Sequence, residues 1–140
     1  MKNAVMKIIL ILTLASALTS CAAQDGRQMY AKASALTKLS AAVEATVLYR
    51  DPSPTLTDDE LLRLATASDP RLLQEFDGLK LRVRKEPQVV TLLVCSVDAD
   101  FALLEDVSCT AKLDRHHWRD SASTLCEFTL RTAEVCTPSQ

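Results

Sequence analysis

The chain has 140 residues, 48% of them apolar and 24% charged, with a formal charge of −2, five Cys and only two Gly. These values describe one modest domain and exclude a disordered polyelectrolyte, a collagen-like repeat and a multidomain enzyme. No constellation of residues dictates a reaction, so the sequence speaks mainly to address, bracing and fold class.

Lys2 and Lys7 precede the apolar run from Ile8 to Leu18, a charged segment followed by a core of secretory-signal length. A bilayer-spanning helix needs about 20 apolar residues, and this run has roughly half that. The run therefore reads as an export signal that is cut. Leu18-Thr19-Ser20-Cys21 then gives a branched apolar residue, two small residues and a Cys. This motif resembles the lipobox of bacterial lipoproteins. Small side chains admit the extended segment to a peptidase, and only a thiol carries a thioether-linked diacylglycerol. The resemblance is confined to residues 1–21. It implies removal of 1–20, lipidation of Cys21 and a membrane anchor with palmitate among its acyl chains, each chain holding at about 0.8 kcal/mol per buried CH₂. Inner-membrane retention signals of many Gram-negative lipoproteins have Asp where this chain has Ala22. In a Gram-negative host the resemblance thus implies the outer membrane, facing the periplasm. The competing reading is an ordinary signal cut near Ala22-Ala23.

Residues 21–27 are small and polar enough for a lipidated tether, leaving 28–140 as a single domain. From Gln28 to Tyr49 the apolar positions Met29, Ala33, Leu36, Leu39, Val43 and Val47 recur at three- and four-residue steps, predicting one long amphipathic helix. Its stripe is expected to pack on its own domain, with docking of a partner helix as the alternative. Asp51-Pro52-Ser53-Pro54 ends it. Thr57-Asp58-Asp59-Glu60 matches a capping box for a second helix to about Ala67. Asp69-Pro70 predicts an N-cap and first residue for a third, of two turns at most, stopped by Asp77-Gly78.

Beyond Gly78 the period becomes two: Leu79, Leu81 and Val83 alternate with Lys80, Arg82 and Arg84, predicting a half-buried strand. Val89 to Val97 is apolar on both faces, as a central strand should be. Phe101–Leu104 is expected as a third strand and Leu125–Arg131 as a fourth, with Cys126, Phe128 and Leu130 on one face. Helices first and a meander second indicate an α+β domain, its long helix covering a small antiparallel sheet.

Loss of Lys2 and Lys7 with the signal leaves 14 basic and 18 acidic side chains, a formal −4. That balance argues against nucleic acid as a partner, which requires clustered positive charge. With Cys21 lipidated, Cys95, Cys109, Cys126 and Cys136 remain, an even number that reads as two disulfides in an oxidising compartment. Three connectivities are open. Pairing Cys109 with Cys126 and Cys95 with Cys136 is preferred here because it would close residues 110–125 into a loop. The intervening 13, 16 and 9 residues contain no Cys-x-x-Cys, which disfavours zinc or a redox pair.

Two glycines leave no glycine-rich phosphate loop and no nucleophile elbow. Asp114-Arg115-His116-His117-Trp118-Arg119-Asp120 is the densest chemical segment. Two imidazoles there suit metal binding or proton transfer, but a metal site needs a third ligand that the sequence does not supply. The favoured reading makes His116, His117, Trp118 and Arg119 a binding rim, with no metal and no cofactor. Lys80, Arg82 and Arg84 share a strand face. They suit an acidic partner or lipid headgroup, or else guard a sheet edge while paired with Asp98, Asp100, Glu105 or Asp106.

The leading expectation is a non-enzymatic, lipid-anchored periplasmic lipoprotein that binds an envelope protein, in its narrower form an inhibitor or immunity protein. An assembly factor of an outer-membrane or secretion complex, docking through the long helix, is the alternative. A small metal-dependent enzyme around His116 and His117 ranks third.

Overall fold

The computed structural model describes residues 27–87, 89–97, 101–109, 113–114 and 125–136. The chain divides into two compact units, residues 1–31 and 32–140. Of the first, only residues 27–31 are described, and they are helical. Among the described residues no helix is long and apolar enough to cross a membrane. The expected signal, Cys21 and most of the expected tether lie outside the described residues.

Residues 27–50 form the helix α1. Its predicted stripe is buried at Ala33, Leu36, Leu39 and Val43, while Tyr49 is 84% exposed at its end. Asp51 takes φ 45°, a left-handed stop that a short polar side chain tolerates, directly before Pro52. α2, Asp58–Ala65, opens with the expected capping box. The Thr57 N–H and hydroxyl donate to Glu60 Oε2 at 2.8 and 2.9 Å, and the Glu60 N–H donates to Thr57 Oγ1 at 3.3 Å. α3, Arg71–Gln74, is a single turn whose N-cap is Pro70. Pro70 thus stands one place before its expected position, and the Asp69 carboxylate accepts from Arg71 Nε at 2.9 Å. Gly78 at φ 75° turns the chain into the sheet, a conformation that penalises any Cβ.

The strands are β1, Leu79–Glu86; β2, Val89–Ser96; β3, Ala102–Val107; and β4, Leu113–Asp114; a final helical turn, α4, is Thr132–Val135. The sheet is antiparallel in the order β1-β2-β3-β4. The α+β architecture is therefore that expected, with β2 central and buried from Val90 to Cys95. Two strand expectations need correction. β3 runs on through Glu105 and Asp106 to Val107, past the expected end at Leu104. Residues 126–131 form no strand; only Leu125 bridges to the sheet, at Phe101. The alternation itself survives, with Cys126, Phe128 and Leu130 less exposed than their neighbours.

Register assigns the two faces. Val83 pairs with Leu92 and Leu92 with Asp106, so one face carries Leu81, Val83, Val90, Leu92, Val94, Leu104 and Asp106. The main core joins this face to Leu36, Leu39 and Val43 of α1, Leu61 and Leu62 of α2, and Phe76. The α1 stripe is thus committed to its own sheet. The opposite face carries Lys80, Arg82, Arg84, Thr91, Leu93, Cys95 and Glu105, and its smaller core joins Leu93, Cys95 and Ala102 to Cys126 and Phe128.

Candidate functional site

The second face is built as a clamp over the C-terminal segment. Burying a carboxylate is costly unless donors surround it, and Glu105 has them. With no solvent exposure, it accepts from the Thr129 N–H at 3.0 Å, the Thr129 hydroxyl at 2.8 Å and the Leu130 N–H at 3.1 Å. From β1, Arg82 Nη1 donates to the Cys126 carbonyl at 2.8 Å and Arg84 Nη2 to the Leu130 carbonyl at 2.6 Å. Both guanidinium groups lie over the Phe128 ring, 5.5 and 4.8 Å from its centroid. Arg84 also reaches Thr91 Oγ1 at 3.3 Å and lies 3.2 Å from Glu86 as an ion pair. The Thr132 hydroxyl donates to Glu86, extending the clamp to α4.

Arg82 and Arg84 are therefore engaged within the chain. Lys80 stays exposed and, with Arg82, Leu125, Cys126 and Glu127, lines an open groove of about 220 Å³. Of the expected acidic partners, Asp106 points to the opposite face and Glu105 shares the face of the arginines; Asp98 and Asp100 lie outside the described residues.

Two disulfides complete the bracing, but with different partners from those preferred on sequence. Cys95 is joined to Cys126 and Cys109 to Cys136. The physical reason lies in the sheet. Cys95 points to the clamped face, directly under the returning segment at Cys126, whereas Cys109 follows the end of β3 close to α4. No protein-family model, curated protein or solved structure matches the chain.

Cys109 and Cys126 bound residues 110–125, and each is anchored by its own disulfide. The chain leaves one covalent anchor and returns to another, pairing Leu113 and Asp114 with Asp106 and Glu105 near its start. His116, His117, Trp118 and Arg119 belong to this span and lie outside the described residues. Among the described residues no group of three His, Cys, Asp or Glu side chains is arranged to hold a metal ion.

Sequence reading missed the clamp. Its signal was present in the alternation of Cys126, Phe128 and Leu130 opposite the arginine stripe, but a stripe of cations and a lone Phe give no direct sign that they belong together.

Proposed function

We propose that the chain is a lipid-anchored, non-enzymatic lipoprotein of the cell envelope that binds a protein partner through residues 110–124, as an inhibitor or immunity protein does. The single observation that carries this reading is the double anchorage of that span. Pinning both ends of a binding segment lowers the ordering entropy lost on association, which is how rigid loops gain affinity. The residue types in it suit a contact rim, since Trp and Arg are the commonest energetic anchors of interfaces. The lipobox supports tethering at Cys21, by the resemblance described above, and in a Gram-negative host Ala22 supports sorting to the outer membrane. Docking through α1 is not favoured, because its apolar stripe packs in the core.

The test is in-cell crosslinking of the full chain with mass spectrometry of the captured proteins, run beside Cys21→Ser and beside combined His117→Ala, Trp118→Ala and Arg119→Ala. The expected result is a specific envelope partner lost in the triple variant, and loss of membrane fractionation in Cys21→Ser. Capture unaffected by the triple substitution would overturn the assigned surface. Metal or turnover that disappears in His116→Ala with His117→Ala would replace the binding role by an enzymatic one.

A further inference from the structure

Where α1 meets the sheet, three buried oxygens lack partners. Asp106 and Ser40 have no solvent exposure, and neither Asp106 carboxyl oxygen nor Ser40 Oγ makes a hydrogen bond. Other hydroxyls on α1 behave differently: Thr37 and Thr46 donate to the carbonyls of Ala33 and Ala42, one turn back. The Ser40 hydroxyl leaves its own helix unbonded and influences Asp106.

Their surroundings are apolar. α1 brings Leu36, Leu39 and Val43 to this core, α2 brings Leu61 and Leu62, and β2 brings Val90, Leu92 and Val94. α1 also carries Lys32, Lys38 and Glu44, and α2 carries Asp58, Asp59, Glu60 and Arg63. Glu44 is half-buried one turn beyond Ser40, Lys85 is exposed at the far end of β1, and the Asp58 carboxylate accepts from the Val83 N–H at 3.1 Å. None of them acts on Asp106: burial raises its carboxyl to about 6, and the Ser40 hydroxyl offsets part of that rise.

We infer that Ser40 and Asp106 form a proton-operated latch between α1 and the sheet, closed when Asp106 is neutral and loosened when it ionises. A neutral carboxyl group is the cheaper one to keep in this core, and its O–H can donate to Ser40. An ionised one gains water only if α1 lifts. A carboxyl group raised in the closed state binds its proton more tightly there than in the open state. Closure is therefore favoured at low pH and weakens as pH rises from the ordinary aspartate range through about 6. The latch is independent of the binding role proposed above.

The experiment is amide hydrogen exchange of the full chain in detergent micelles at pH 5 and pH 7.5, expressed as protection factors so that the intrinsic rate cancels. The α1 amides should lose about tenfold in protection on going to pH 7.5, while the β2 amides hold. Asp106→Asn, neutral at both values, should abolish the step. Equal protection of α1 at both pH values overturns the latch, as does a step that persists in Asp106→Asn. Should that variant not fold, wild type decides alone: α1 and β2 losing protection together would mean global unfolding and no latch.

Discussion

Glu105 and Asp106 are neighbours on β3, and their side chains leave opposite faces of the sheet into complete burial. One is surrounded by donors from the C-terminal segment; the other has only the Ser40 hydroxyl beside it and makes no hydrogen bond. Two adjacent buried acids thus serve opposite ends, since a satisfied carboxylate fastens a segment and an unsatisfied one weakens the interface that covers it.

Glu105→Ala removes the acceptor shared by Thr129 and Leu130. We expect a loss of about 3 kcal/mol in urea unfolding, in the range for breaking a buried charge-assisted network. Proteolysis of the native variant should begin in residues 125–131. A change under about 0.5 kcal/mol, the size of an ordinary surface substitution, would show that Glu105 does not hold the segment.

Phe128 lies against Arg82 and Arg84 and connects the smaller core to the stripe. Phe128→Ala should destabilise by about 2–3 kcal/mol, combining lost burial with two cation–π contacts. Arg84→Ala should cost about 1–3 kcal/mol through its bond to the Leu130 carbonyl, and the exposed Lys80→Ala close to nothing. The informative quantity is the coupling between Phe128 and Arg84 in a double-mutant cycle. Additive losses would mean that the stacked geometry contributes no energy of its own.

The parts that sequence made legible are those governed by local chemistry. The α1 stripe, the Thr57 capping box, Gly78 and the central β2 run each follow from periodicity, a cap or a left-handed φ, and each forms where expected. The misreadings share a cause in long-range contacts. Glu105 and Asp106 read only as candidate partners of the cationic stripe, because nothing nearby in sequence announces Thr129, Leu130 or Ser40. Cys109 and Cys126 looked like a loop closure because a strand's facing, which puts Cys95 beneath Cys126, is settled only by register. His116, His117, Trp118 and Arg119 stand out in sequence by residue type alone, whereas the disulfide pairing that anchors both ends of their span is fixed only by the fold.

At the start of α2, Thr57→Ala should cost about 1 kcal/mol in thermal unfolding, the usual loss for an N-cap hydroxyl. The Thr57 backbone N–H, then its hydroxyl, hold the Glu60 carboxyl below its ordinary value. A carboxyl group lowered in the folded state adds stability that is present at neutral pH and lost as pH falls through its folded value. The difference between wild type and Glu60→Gln should accordingly shrink in acid. A difference that is constant with pH would place the contribution of Glu60 in its neutral contacts.

The two disulfides should differ in their response to reductant. Thiol exchange requires a thiolate to reach a sulfur, so access sets the order of opening. Cys95 is completely buried in the smaller core, whereas Cys109 is exposed and Cys136 half-buried. Limited dithiothreitol followed by alkylation and peptide mass spectrometry should label Cys109 and Cys136 first, under conditions that leave Cys95 and Cys126 joined. Non-reduced peptides should carry those same two linkages, excluding the Cys109–Cys126 closure. Each bond closes about 30 residues of chain and should contribute roughly 3–4 kcal/mol on the chain-entropy account. Losing the Cys109–Cys136 bond frees one anchor of residues 110–124 while Cys126 stays fixed to the sheet. Partner capture should therefore weaken in Cys109→Ala with Cys136→Ala while the core remains folded. Undiminished capture in that variant would show that double anchorage is not what prepares the span for binding.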